Sequence, residues 1–419
     1  MVQRQLLQWL KKVRERPQIV HIVGLRQTGK TTLMAEFRKH IPNHLHYPLQ
    51  NYTILSKYRT NLNLWISEIT EFLSRTPENE VLHVFVDEIQ KIPEMFQALQ
   101  GLYDEHKGRI KFWIWGSSAR PLKKHRAETL AGRIISRVLH PLSQSEILKS
   151  DSLVSHLPSL HEHTNKLSPT MPSGYIAFLK KTFRRTLLPE PYLTDDEEAR
   201  DDLLDAYAAS YLENEIRREN LVGDIGVFSR FLLLAASENA SVLNYSSLAK
   251  NLGVSSHTTK TYREILEDTY VVSQLPPFST RMRVQVAKSP KVYFSDTGLA
   301  RFVAGRRDAP YEQTAEFGRC FEGFVVNELS KQIEYQGLRW KLSYLRTKGG
   351  READLVVSTG KQAFAVEIKS KTGISPKDYE NLIYLIDRDP SIEFGVVICL
   401  QGAPLKLTDR IYTFPAWCL

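Results

Sequence analysis

The sequence predicts an α/β chain of several domains that opens on a parallel sheet with flanking helices. Three observations lead there. An apolar run, Ile19 to Val23, feeds a glycine-bounded loop, Gly24-Leu25-Arg26-Gln27-Thr28-Gly29-Lys30-Thr31, and then a helical pattern. Apolar runs and helical periodicities then alternate, as strands joined by crossover helices do. The last quarter repeats an α/β pattern in which Asp354 is followed by Glu367-Ile368-Lys369.

A chain of 419 residues exceeds one compact core, so two to four domains are expected. Its hydrophobic content of 42% and charged content of 25% are those of an ordinary globular protein. No run reaches the roughly 18–20 apolar residues of a membrane span, so no membrane partner is expected. The N-terminus lacks a signal-peptide apolar core. Cys320, Cys399 and Cys418 are isolated, which suits a reducing cytoplasm and argues against zinc. The net charge is +9, and residues 1–150 hold 23 Lys and Arg against 13 Asp and Glu. The basic excess therefore lies in the first part and permits nucleic-acid binding.

Leu6, Leu7, Leu10 and Val13 predict a lead-in helix that Pro17 ends. In the loop, Gly24 and Gly29 let backbone N–H groups turn inward to phosphate oxygens. Lys30 is expected on the β and γ phosphates of ATP, and Thr31 on Mg²⁺. Gln27, Thr28 and Thr32 complete the expected nucleotide contacts. A helix over 30–40, a strand at 45–49 and a helix at 62–73 follow. The apolar run 81–86 ends in Asp87-Glu88, where Asp87 is placed to hold Mg²⁺ and Glu88 to polarise the attacking water. The next strand, 110–115, ends in Gly116-Ser117-Ser118, and either serine can sense the γ-phosphate or cap a helix. Arg133 is a further candidate for the γ-phosphate, in cis or from a neighbouring subunit, or else an exposed structural arginine.

Residues 150–173 are rich in Ser, His, Pro and Thr and read as mostly loop. His156, His161 and His163 there read as surface histidines. Residues 247–254 and 255–266 read as helix, glycine turn and capped helix, the helix-turn-helix pattern. Residues 271–275 and 281–294 can form a β wing. Thr258, Lys260, Arg281, Arg283 and Lys288 are the candidate DNA contacts; protein packing is the other use of such a fold.

From Phe317 to Ile333 the pattern is helical and includes Glu322. Strands are expected at 342–346, 351–357, 363–369 and 394–400, with a helix at 376–386. Alternation puts Glu367 and Lys369 on one face, and a neighbouring strand can bring Asp354 beside them. Two carboxylates can hold Mg²⁺, and Lys369 can orient the nucleophile. Glu322 is a candidate supporting carboxylate, or a ligand to a second ion.

Taken together, these stretches resemble the bacterial and archaeal AAA-type P-loop ATPases whose C-terminal domain of unknown function ends in a PD-(D/E)XK nuclease-like core. The resemblance rests on the loop 24–33, Val86 to Pro93, Gly116-Ser117-Ser118, Leu130 to Arg133, Tyr262 to Tyr270, Pro290 to Leu299, and the pairs Glu352/Asp354 and Glu367/Lys369. It implies an ATPase domain over 1–150, a linker and helical lid over 151–200, a winged helix over 201–303 and a nuclease-like domain over 304–419. The expected function is Mg²⁺-dependent ATP hydrolysis coupled to a DNA nuclease. The alternative is an ATP-gated switch that binds DNA or a protein partner without cutting; either form can be oligomeric.

Overall fold

Every residue of Ile19–Val23 (β1) is buried, as in a strand covered on both faces. The computed structural model describes residues 2–118, 130, 132–163, 171–211, 222–279, 289–306, 315–400 and 402–419. In it the chain divides into two compact units. One holds Gln3–His140 with Asp268–Tyr270; the other holds Pro141–Glu267 with Val271–Leu419.

In the first unit β1 joins β2 (His44–Pro48), β3 (Leu82–Asp87), β4 (Ile110–Trp115) and β5 (Ile134–Val138). The order is β2-β3-β4-β1-β5, and every pairing is parallel. All five carboxyl ends therefore share one edge. Helices α1 (Leu6–Val13), α2 (Lys30–Arg38), α3 (Tyr52–Thr60), α4 (Leu62–Arg75) and α5 (Met95–Glu105) accompany the sheet. Alternation sorts the core. Val84, Val86, Phe112 and Ile114 cluster with Trp65 and Ile69 of α4 and with Phe96 and Leu99 of α5. On the other face Phe37 of α2 meets Trp113 at 4.6 Å and Phe85 at 6.4 Å between ring centroids. Each such fully buried side chain contributes roughly 1.5–3 kcal/mol. Helix α3 was not legible because it buries only Tyr58 and so writes no apolar stripe. Asn51 starts it by accepting from Thr53 N and Ile54 N.

The second unit holds two sheets. Strands β6 (Ser241–Val242), β7 (Val272–Leu275) and β8 (Lys291–Phe294) form an antiparallel sheet in the order β6-β8-β7. In sequence with it come helices α6 (Ile225–Ser237), α7 (Tyr245–Leu252) and α8 (Ser256–Asp268). Gly253, at φ +69°, makes the turn between α7 and α8. Phe228, Phe231 and Tyr262 pack these helices together at 5.2 and 5.5 Å.

The other sheet runs β13-β12-β11-β10-β9. Its strands are β9 (Lys341–Arg346), β10 (Glu352–Ser358), β11 (Ala363–Lys369), β12 (Ile392–Cys399) and β13 (Ile411–Pro415). The first three strands pair antiparallel and the last three parallel. Helix α9 (Ala315–Tyr335) brings Phe321 and Phe324 to Phe364 and Val366, while α10 (Pro376–Arg388) brings Leu382 to Ala365. Strand β11 is therefore sandwiched.

Within the stretch expected to be mostly loop, residues 154–160 are ordered into the core instead. Val154–Ser159 is a 3-10 helix, and Val154, Leu157 and Leu160 are fully buried in the second unit's main core. Their three-residue spacing was hidden among Ser, His and Pro.

Candidate functional site

The phosphate loop sits at the carboxyl edge of the first sheet, between β1 and α2. Gly24 has φ +144°, and a Cβ there would lie 2.2 Å from the Leu139 carbonyl oxygen, so only glycine fits. The buried Lys30 folds back over the loop, its Nζ donating to Gly24 O and Leu25 O at 2.8 Å each. Thr28 Oγ1 donates to Leu25 O at 2.9 Å, Gln27 adopts φ +60°, and Thr32 is exposed on the first turn of α2.

Strand β3 delivers Asp87 to the same edge. Thr31 Oγ1 donates to Asp87 Oδ2 at 3.1 Å, and Trp115 Nε1 reaches Thr31 Oγ1 at 3.4 Å. Asp87 Oδ1 is buried with no hydrogen-bond partner. Burial, then the neighbouring Glu88 charge, push the Asp87 pKa up to about 7. A buried oxygen without a donor, beside a threonine hydroxyl, fits the oxygen ligation of Mg²⁺. Glu88 stands at φ +54°; its Oε2 accepts from Gln90 Nε2, from Ser117 N at 3.3 Å and from Ser117 Oγ at 3.4 Å. Ser117 and the equally buried Ser118 end β4, the strand between β3 and β1.

A second site lies in the second unit. Asp354, Glu367, Lys369 and Glu322 line one cavity of about 430 Å³. In the β10–β11 register Leu355 faces Val366, so the next pair outward is Asp354 and Glu367. A bulge between Ala353 and Val356, where the pairing with β9 slips, falls at Asp354. Asp354 Oδ2 accepts from Ile368 N at 2.8 Å, and Lys369 Nζ donates to Glu367 Oε1 at 2.7 Å. Glu367 Oε2 is buried without a partner. Burial raises the pKa of Asp354 well above the carboxylate range, reinforced by Glu367 and Glu322. Burial also raises that of Glu367, against the lowering by Lys369. Glu322 is in the cavity, but its Oε1 accepts from Tyr293 Oη at 2.7 Å and Lys291 Nζ at 3.3 Å. Among the described residues no group of three or more His, Cys, Asp or Glu side chains is arranged to hold a metal ion. The free oxygen of Glu367 beside Asp354 nevertheless fits one oxygen-seeking cation.

Residues 16–148 match the family model described as AAA domain. They carry a P-loop ATPase fold of the AAA type. Residues 178–309 and 317–419 match two further models, each described as a domain of unknown function. An uncharacterized protein of Mycobacterium tuberculosis is 25% identical over 361 residues, covering 86% of this chain and 72% of the relative. An uncharacterized protein of Haemophilus influenzae is 22% identical over 400 residues, covering 91% and 90%. A Walker-type ATPase structure from Pyrococcus abyssi is similar at a TM-score of 0.47 and 15% identity, over 72% of this chain and 96% of that one.

Arg133 corrects the expectation of a γ-phosphate contact in cis. It immediately precedes β5, where its carbonyl accepts from Ile19 N at the start of β1. Parallel strands put that position at the amino edge of the AAA-domain sheet, a strand's length from the loop. Its guanidinium grips Asp104 twice, Nε to Oδ1 at 2.7 Å and Nη2 to Oδ2 at 3.0 Å.

On α8, Lys260 is exposed. Thr258 takes part in the helix cap, its N donating to Ser255 Oγ at 3.0 Å. Arg281, Arg283 and Lys288 lie outside the described residues. Among the described residues no helix is long and apolar enough to cross a membrane.

Two positioning groups escaped the sequence reading. Buried Arg4 donates to Thr28 O and His140 O at 2.6 Å each, bracing the phosphate loop from the lead-in segment. Lys291 and Tyr293, on β8, reach the second site although they belong to the other sheet of that unit. Lys291 and Tyr293 fall in the stretch Pro290 to Leu299 that carries the resemblance, but nothing local ties that stretch to the second site.

Proposed function

We propose that the chain is a Mg²⁺-dependent ATP hydrolase whose second carboxylate site is a metal-dependent nuclease centre acting on DNA, with a winged helix formed by α6 to α8 and β6 to β8. At the first site Lys30 and the loop amides bind the β and γ phosphates. Thr31 and Asp87 would hold Mg²⁺. Glu88, steadied by Gln90 and Ser117, orients a water and accepts its proton at the carboxylate. At the second site Asp354 and Glu367 would hold the cation, and Lys369 orients the nucleophilic water. When bound, the cation stabilises negative charge gathering on the phosphoryl oxygens.

The observation that supports the nuclease reading is the buried, partnerless Glu367 Oε2 in a cavity shared with Asp354 and Lys369. An antiparallel meander followed by a parallel crossover strand is also the sheet order that such a core requires. The test measures ATP turnover and Mg²⁺-dependent cleavage on a panel of DNA structures. Asp354→Asn is expected to abolish cleavage and spare ATP turnover; Lys30→Ala is expected to abolish turnover. A wild-type chain that hydrolyses ATP yet cuts no DNA in any nucleotide state overturns the nuclease half.

A further inference from the structure

Lys291 leaves the three-stranded sheet and enters the carboxylate site of the five-stranded one. Its side chain is only 9% exposed. Nζ lies 2.7 Å from Glu352 Oε1 and 3.3 Å from Glu322 Oε1. Tyr293, two residues along β8 and so on the same face, donates its hydroxyl to that same Glu322 oxygen at 2.7 Å. Strand pairing holds Lys291 in place: it faces Val242 on one side and Leu275 on the other. The Tyr344 ring lies 5.8 Å from the ammonium.

These contacts change which carboxylates are available. Glu322 comes from α9, Glu352 and Asp354 from β10 and Glu367 from β11, and a second divalent ion beside Asp354 and Glu367 would need Glu322 or Glu352 as a donor. Here Glu322 and Glu352 share a buried ammonium, and Asp378, also lining the cavity, is paired with Lys371 at 2.7 Å. Asp354 and Glu367 are left for a cation, and only Glu367 has a buried oxygen with no partner.

We infer that Lys291 takes the place of a second divalent cation and restricts the site to one metal ion. The inference rests on reading this site as metal-binding. Lys291 acts through Glu322 and Glu352 and is a positioning residue that sets metal stoichiometry. The ammonium is tethered by its own strand, so it occupies the second position at no cost in ion binding, and Glu322 serves as its acceptor.

The experiment is equilibrium dialysis of the full chain against Mn²⁺ without nucleotide, with Glu367→Gln as background and circular dichroism as a check on folding. Wild type is expected to bind about one ion above background, Lys291→Arg about one, and Lys291→Met about two. Adding Glu322→Gln to Lys291→Met is expected to return the count to about one. Lys291→Met that stays folded and binds one ion with unchanged affinity overturns the inference. If Lys291→Met does not fold, Glu322→Gln alone decides: Mn²⁺ affinity within about threefold of wild type supports it, and a loss as large as that of Glu367→Gln overturns it. Wild type that binds no more than background overturns the metal-site reading itself, a result distinguishable from the others.

Discussion

Thr31 Oγ1 donates to Asp87 Oδ2 across 3.1 Å, joining two residues 56 positions apart at the carboxyl edge of one parallel sheet. The bond brings a hydroxyl and a carboxylate together, and Asp87 keeps its second oxygen buried and unpaired. Asp87→Ala is expected to lower Mg²⁺-dependent ATP turnover by about 100-fold, a loss typical of removing one electrostatic group from a phosphoryl-transfer site. Steady-state phosphate release checks it; turnover within threefold of wild type would remove Asp87 from the site.

Gly24→Ala places a methyl group against the Leu139 carbonyl at a backbone angle that alanine rarely adopts. The loop has to open to relieve the contact. A stability loss on the order of 2–4 kcal/mol is expected. Urea melts measure the stability, and a fluorescent ATP analogue measures the accompanying loss of binding.

Arg4 reaches Thr28 O and His140 O with two different guanidinium nitrogens, Nη1 and Nη2, whereas lysine ends in a single nitrogen on a shorter stem. Arg4→Lys is therefore expected to weaken ATP binding about 10-fold, consistent with loss of a charge-assisted hydrogen bond. Because the loop is misplaced and Glu88 is not, KM should rise more than kcat falls. Equal loss in both would assign Arg4 to general stability.

Lys111 supplies a pH dependence away from either site. Burial, then Arg16, lower its pKa to about 7, and its Nζ donates to the Arg16 and Gln18 carbonyls. A neutral amine has two donors for those two acceptors. The folded pKa is below the unfolded value, so the stability this group contributes is present above about pH 10.5 and is lost as pH falls through about 7. Between those limits the slope is at most about 1.4 kcal/mol per pH unit. Lys111→Met is expected to flatten the wild-type curve in denaturant melts from pH 7 to 10; identical slopes would show that Lys111 stays charged when folded.

The phosphate loop was legible because its chemistry is local. Gly24, Gly29, Lys30 and Thr31 lie within eight residues, and a strand and helix frame them on either side. Asp87-Glu88 was legible because it ends an apolar run downstream of a complete phosphate loop; the same acid pair alone would say little. Arg133 had two readings, and its carbonyl's bond to Ile19 N with its guanidinium's grip on Asp104 agrees with the structural one, which no local pattern could choose. Helix α3 and the buried turns at 154–160 were missed because their apolar residues are few or interrupted.

The sequence by itself determined the kinds of residue available to each site and the strands that carry them, since periodicity and glycine spacing act over short stretches of chain. Tertiary structure alone decided which of those residues meet. Strand pairing brought Asp354 against the end of β11, where it accepts from Ile368 N, a bulge fell between Ala353 and Val356, and a strand from another sheet brought Lys291 to Glu322. Pairings of this kind depend on hydrogen-bond register and packing between segments far apart in the chain, and no local pattern encodes them.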